Sequence, residues 1–174
     1  MDLSQFAGPF LPEILLLAAV LLMFAHGIVS GLLFMASGSI HHTYGTRDLA
    51  SLGGITPTAP ALATMLMAGS LASLGLPALI GFPAEFTAFL ATWEALGYWV
   101  FLPLGILVVT AAFYLWMMQR VLFGPPKGIP AEARDVPWYE GTGMAILVVF
   151  TVLFGVLPGL LVNVITSSPI RGFP

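Results

Sequence analysis

The chain has 174 residues, of which 59% are hydrophobic and only 7% are charged, and its formal net charge is −3. Soluble domains carry about 25% charged residues, and a mean hydropathy of +1.01 exceeds what a soluble core could bury. We therefore expect an all-α integral membrane protein, with the lipid bilayer and not nucleic acid as its surroundings. The sequence contains no cysteine, which excludes disulfides, thiolate metal sites and iron–sulfur ligation by this chain.

Hydropathy predicts about four transmembrane helices within a single membrane domain over residues 1–174. Pro12 and Glu13 suit the first turn of the first helix. The residues before it have no basic region and no cleavage site, so we expect a retained helix and not a secretory signal. Gly155 and Pro158 interrupt the last helix. The predicted spans are, in chain order, 12–42, 60–93, 98–123 and 142–166.

Helix-breaking residues cluster inside the second predicted span, where Gly75, Pro77, Gly81 and Pro83 follow one another closely. Proline removes a backbone donor and glycine weakens a helix, so we expect this span to be discontinuous at Gly75–Pro83. A broken membrane helix leaves backbone groups without partners, and it is tolerated only where protein or water satisfies them. Such a break is typical of an ion or proton path.

Glu85 follows this break in otherwise apolar sequence. A carboxylate at membrane depth costs roughly 2.5–3.5 kcal/mol on insertion scales, so an acid there is a candidate functional group. A side chain that can hold and release a proton suits a proton relay. The alternative is that Glu85 caps the N-terminus of the second half of the broken helix, close to water.

His26 is the ionisable residue well inside the first predicted span. Histidine changes charge near neutral pH, which suits a second relay station. The alternative is a buried neutral histidine bonded to a serine or a carbonyl of the next helix. Tyr114 and Trp116, within the third span, are interpreted as packing residues.

The remaining polar residues predict no metal site. His41 and His42 are adjacent, so they point in different directions on a helix and make a poor metal pair. We interpret them as solvated residues at the membrane boundary. The acids Glu132, Asp135 and Glu140 are interpreted as part of a solvated loop.

Lysine and arginine residues predict the orientation in the membrane. Four spans place both termini on one side, and Arg47, Arg120, Lys127 and Arg134 then lie on the opposite side, with Arg171 on the terminal side. Loops rich in Lys and Arg face the cytoplasm or its organellar equivalent. We therefore expect both termini to lie outside.

Several motifs together carry a resemblance to a known family. They are, in chain order, Ala25-His26-Gly27, Thr46-Arg47-Asp48, Gly53-Gly54, Ser73-Leu74-Gly75-Leu76-Pro77, Gly81-Phe82, Glu85-Phe86 and Gln119-Arg120-Val121-Leu122-Phe123-Gly124-Pro125. With these motifs the chain resembles the antiporter-like membrane subunits of respiratory complex I, in particular the NADH–quinone oxidoreductase subunit M (chain 4) family. The resemblance covers only the C-terminal portion of that family's pattern. Related subunits occur in cation/proton antiporters and membrane-bound hydrogenases.

The resemblance implies a proton-translocating, half-length subunit of a complex I-type NAD(P)H or ferredoxin:quinone oxidoreductase. It implies that His26 and Glu85 are proton-relay stations. It also implies other membrane subunits as partners, which hold the quinone, flavin and iron–sulfur clusters, while this chain binds no cofactor and has no redox site. The expected location is a bacterial or archaeal plasma membrane, or a thylakoid or inner organelle membrane. A cation/proton antiporter or hydrogenase subunit, and a helical scaffold that transports nothing, are the alternatives.

Overall fold

The computed structural model of the chain describes residues 11–167, and the regular structure within them is helical, which confirms the all-α prediction. Residues 1–10, which were compared with a secretory signal, and Arg171 lie outside the described residues. One turn of 3₁₀ helix, Gly97–Val100, joins α3 to α4. The α-helices are α1 Leu11–Tyr44, α2 Pro60–Ser73, α3 Gly81–Leu96, α4 Phe101–Val121, α5 Trp138–Val156 and α6 Gly159–Ser167.

Three stretches of the described chain are long and apolar enough to cross a membrane: Leu11–Tyr44, Gly81–Val121 and Trp138–Val156. The 34 residues of α1 span about 51 Å at 1.5 Å per residue, well above the ~30 Å thickness of the hydrocarbon layer. Helix α2 is a shorter apolar helix that ends where the predicted break begins. Together with the interrupted pair α5 and α6, these elements agree with about four transmembrane helices. That residues 1–174 form a single domain stays a prediction.

The predicted break in the second span is confirmed, although it is shorter than expected. Helix α2 ends at Ser73 and α3 begins at Gly81, so the irregular segment is 74–80. Gly81 and Pro83 belong to the first turn of α3, where a missing N–H removes no helical hydrogen bond. A second interruption separates α5 from α6 at Leu157 and Pro158, because proline cannot continue a helix.

Helix α1 is the centre of the fold and packs against α2, α3, α5 and α6. Buried apolar residues form two separate clusters along it. The cluster near the interhelical loops, called here the loop-end core, is Leu32, Ala36, Ile40, Tyr44, Leu52, Ile55, Ala59, Leu62, Ala63, Leu66, Met118, Val121, Leu122 and Met144. The cluster beside the helix break, called here the break-end core, is Leu21, Ala25, Val29, Ala72, Ile80 and Ala84.

Two loops close the loop end of the molecule. Gly53 and Lys127 exchange both backbone hydrogen bonds, at 3.2 and 3.1 Å, so the segment after α1 pairs with the segment after α4. The Ile55 N–H also donates to the Val121 carbonyl at 3.1 Å. The Ile55 bond satisfies the last carbonyl of α4, which has no partner within the helix.

Candidate functional site

The helix break is built from backbone conformations that differ from a helix. Gly75 has φ of +63°, which glycine adopts without steric penalty, and Ala78 has φ of +73°, which is uncommon for a residue with a side chain. The chain thereby leaves the helical path of α2 and enters α3 with Ile80 as the N-cap residue. The end of α2 and the start of α3 consequently meet at the break-end core.

Gly75 lies directly against the carboxylate of Glu85. A Cβ atom at Gly75 would collide with the Glu85 Oε2 atom, and a Cβ at Gly81 would collide with the Ala72 carbonyl oxygen. Gly81 is therefore required by its close approach to backbone, whereas at Gly75 the positive φ favours glycine and a Cβ would displace the Glu85 side chain. The break brings its backbone into contact with the acid that follows it.

Helix α5 supports the break through its backbone. The Ile80 N–H donates to the Thr151 carbonyl of α5 at 2.9 Å. Gly155 of α5 lies so close to the break that a Cβ there would collide with the Ala78 carbonyl oxygen and the Leu79 carbonyl carbon. A neighbouring helix thus supplies a partner to a freed backbone group, as a break at membrane depth requires.

His26 and Glu85 line the same cavity, which has a volume of about 210 Å³. Ser73, Thr110 and Tyr114 add hydroxyl groups to its lining, and the remaining lining residues are apolar or glycine. A second cavity of about 290 Å³ is also lined by Ser73, Glu85 and Thr110. The packing interpretation of Tyr114 was therefore incomplete, because its ring lines a space shared by two ionisable groups.

The observed geometry differs from two alternative roles, that of Glu85 as the cap of a helix and that of His26 as a buried, hydrogen-bonded histidine. Ile80 is the N-cap of α3 and its first turn contains no acid, so Glu85 lies beyond the capping position and is half-buried. His26 is exposed rather than buried. Within residues 11–167, neither side chain forms a hydrogen bond or an ion pair. Both residues line the same cavity.

The interpretation of the acidic loop as merely solvated was wrong for two of its acids. Glu140 accepts a hydrogen bond from the Ser39 hydroxyl at 2.5 Å and lies 2.9 Å from Nδ1 of His42, which itself is exposed to solvent. Asp135 accepts hydrogen bonds from the N–H groups of Ala61 and Leu62, at 2.8 and 3.1 Å. The sequence Ala59-Pro60 indicated that the start of α2 needs such a partner, because the helix begins without a capping residue of its own.

The described part of the chain brings together no set of three His, Asp or Glu side chains that could hold a metal ion. The hydroxyls and the two ionisable groups of the cavity are the chemistry that this site offers. Such groups can bind, donate and accept protons, and they have no electron-transfer chemistry of their own.

Comparison with known proteins matches residues 11–113 to the family described as NADH:quinone oxidoreductase/Mrp antiporter, TM. The chain is 35% identical over 150 residues to F(420)H(2) dehydrogenase subunit M of Methanosarcina mazei. It is 36% identical over 156 residues to NADH-quinone oxidoreductase subunit M of Rhodobacter capsulatus. Each match covers 86% of this chain and 30% of the relative, so the chain spans less than a third of the length of these relatives.

A solved structure supports membership of the same family. The chain resembles a chain of respiratory complex I from Thermus thermophilus, with a TM-score of 0.74 and 29% identity, covering 82% of this chain and 30% of that one. The apolar helices, the broken second span and the family match over more than half of the sequence agree with one another. This chain is an integral membrane protein that belongs to the NADH:quinone oxidoreductase/Mrp antiporter transmembrane family.

Proposed function

We propose that this chain is a proton-translocating, antiporter-like membrane subunit of a complex I-type oxidoreductase, in which His26 and Glu85 relay protons. One observation carries the proposal: the two ionisable groups, which lie on different helices, line one cavity beside a broken helix. Ionisable groups inside membrane spans are rare and mark proton relays or ion pathways. A purely structural helix bundle gains nothing from keeping both there.

The cavity has the space and the hydroxyl groups that a proton relay requires. Its volume of about 210 Å³ gives room for several water molecules, and its hydroxyl groups offer them hydrogen-bond partners. Water chains between His26 and Glu85 would transfer protons without large movements of either side chain. Because Gly75 touches the Glu85 carboxylate, a shift of the break would change the surroundings of the acid directly. The break thus offers a means of coupling a conformational change to proton affinity.

The remainder of the assembly belongs to the proposal. The chain spans 30% of its relatives' length, so we propose that another polypeptide segment supplies the rest of the path. Partner subunits would hold the flavin, iron–sulfur clusters and quinone that provide the redox energy. The site would lie in an energy-converting membrane, with both termini outside, as the distribution of Lys and Arg predicts.

Proton pumping by the assembled complex tests the proposal. In the complex reconstituted into vesicles, we expect Glu85→Gln to slow proton transfer by about a hundredfold, the lower range of what a positioned acid or base contributes. We expect His26→Ala to lower pumping as well. Glu94→Gln and His41→Ala are matched controls, because both residues are exposed and neither lines the cavity.

Three outcomes separate the alternatives. Reduced pumping with an assembled complex and unchanged controls supports the relay. Pumping that persists in the double variant of Glu85 and His26 contradicts it and favours a scaffold. The family match also includes antiporters. Cation-driven proton exchange in vesicles without electron donor, lost in Glu85→Gln, would instead identify an antiporter subunit.

A further inference from the structure

A further cavity lies at the loop end and shares no lining residue with the His26–Glu85 cavity. It has a volume of about 470 Å³, and Arg120 and Lys127 both line it, together with Gln119, Trp116 and the Gly124-Pro125 turn. These residues belong to the C-terminal part of α4 and the segment after it. The proposed proton relay uses none of them, so the site calls for a different ligand.

The walls of this cavity are fixed by backbone contacts. Gly53 and Lys127 are paired through both of their backbone hydrogen bonds, and a Cβ at Gly53 would approach the Pro125 carbonyl oxygen at 2.5 Å. The Thr56 hydroxyl donates to the Leu122 carbonyl at 2.7 Å. Because two loops are joined at several points, the positions of Arg120 and Lys127 are set before any ligand arrives.

The cationic groups have different roles in the cavity. The Arg120 guanidinium lies over the Trp116 ring, with 5.4 Å to the ring centroid, which orients its donors. Lys127 donates through Nζ to the Ala50 carbonyl at 2.5 Å and keeps further donors for a ligand. Asp48 is the acid close to both cations, but Ser51 and the Ala50 N–H already bind its carboxylate. The cavity therefore retains a net positive charge.

The level of this cavity in the membrane indicates which class of ligand it binds. Helix α4 is part of a membrane-crossing stretch and ends at Val121, so the cavity lies where that stretch leaves the apolar layer. Trp116 and Phe123 are exposed on this side and suit the boundary between acyl chains and headgroups. The geometry points to an anionic phospholipid as the occupant, with its phosphate on Arg120 and Lys127 and its glycerol region against Trp116. Arginine binds phosphate through paired donors, and basic pockets at this level recognise lipid headgroups.

Photo-crosslinking in the assembled complex tests this site. The purified complex is placed in vesicles that contain a diazirine-bearing phosphatidylglycerol or the matching phosphatidylcholine, and labelled peptides of this chain are mapped. We expect the segment 116–127 to be labelled about 25-fold more by the anionic lipid, since each of its two cations contributes about 1 kcal/mol near an anionic surface, a factor of about five. An excess of inorganic phosphate should leave this preference unchanged.

Variants make the result specific. Arg120→Gln should reduce the preference about fivefold, and so should Lys127→Gln. Because Lys127 also holds the loop through Ala50, Arg120→Gln alone is the decisive variant. Arg134→Gln, an exposed cation that lines a different surface, should keep the preference. Equal labelling by both lipids, or a preference unaffected by Arg120→Gln, would overturn the proposal. Absence of labelling by either lipid would overturn it too and indicate a protein partner at the site.

Discussion

Glu85 at the break end and Asp135 at the loop end are both half-buried carboxylates close to a helix end, yet their surroundings differ. Asp135 accepts hydrogen bonds from two backbone N–H groups of α2 and one from Val136. Glu85 lies against Gly75 and opens into a cavity that His26 shares. Backbone N–H groups occupy the oxygens of Asp135, whereas the Glu85 carboxylate forms no hydrogen bond within residues 11–167 and lines a cavity. The comparison separates an acid that holds a helix start from an acid whose proposed role is proton transfer.

The two ends are also held together in different ways. At the loop end, side chains make the connections: Glu140 joins the start of α5 to Ser39 and His42 near the end of α1. At the break end, the contacts are between backbones, because Gly155 allows α5 to touch the irregular segment. We therefore expect substitutions of small residues to disrupt the break end and substitutions of acids to weaken the loop end.

Gly155→Ala should have the largest effect on stability. Its Cβ would collide with backbone atoms of Ala78 and Leu79, which cannot move aside as a flexible side chain can. Overpacking of a tight contact costs about 1–3 kcal/mol, and we expect a value near the upper limit, measured as the change in unfolding free energy in a detergent titration. Gly105→Ala is the matched control, because nothing lies within 4 Å of its Cβ position, and it should be neutral or stabilising. Equal effects of both substitutions would show that the break is not held by this contact.

Asp135→Ala should lower the free energy of unfolding by less than Gly155→Ala does. The substitution leaves the Ala61 and Leu62 N–H groups at the start of α2 without their carboxylate partner. Loss of a helix cap costs about 1–2 kcal/mol, so we expect a loss in that range and faster hydrogen exchange in the first turn of α2. Glu132→Ala changes an exposed acid of the same loop and should leave both measurements unchanged. Unaltered exchange in Asp135→Ala would contradict the capping role.

The break end could be predicted from the sequence because its signals are local. Gly75, Pro77, Gly81 and Pro83 disfavour a helix wherever they occur, and Glu85 stands out against apolar neighbours. What the sequence could not supply is the contact of Gly75 with the acid, which depends on the path of the chain between α2 and α3. The assignment of His26 and Glu85 as relay stations stays a prediction.

The loop end could not be predicted because its partners are far apart along the chain. Asp135 lies 74 positions from Ala61, and Glu140 lies 98 positions from His42. A charged residue in a polar segment has the same local pattern whether it is solvated or bonded. Only the fold determines which acid meets a helix start. The uncapped Ala59-Pro60 start of α2 indicated that a partner was needed without indicating which one.

Asp48→Asn should change stability least of the three substitutions. The pH dependence of its effect tests whether hydrogen bonds to an exposed acid of the loop end stabilise the local structure. Hydrogen bonds from the Ser51 hydroxyl and the Ala50 N–H lower the pKa of the Asp48 carboxyl. A lowered folded pKa means that the stabilisation is present above the unfolded value, near 3.9, and is lost as the pH falls through the folded pKa. Hydrogen exchange of the 45–52 segment, corrected for intrinsic rates, should be faster in Asp48→Asn at neutral pH.

This difference between Asp48→Asn and the unmodified chain should disappear as the pH falls through the lowered pKa of the folded state, where the native carboxyl becomes protonated too. Arg47→Gln changes the adjacent exposed residue and should show no such convergence. If the difference instead persisted at low pH, the asparagine side chain would be disturbing the turn by itself. The charge of Asp48 would then contribute nothing to the local structure. Convergence would show that even an exposed acid of the loop end is held by its hydrogen bonds, in contrast to Glu85.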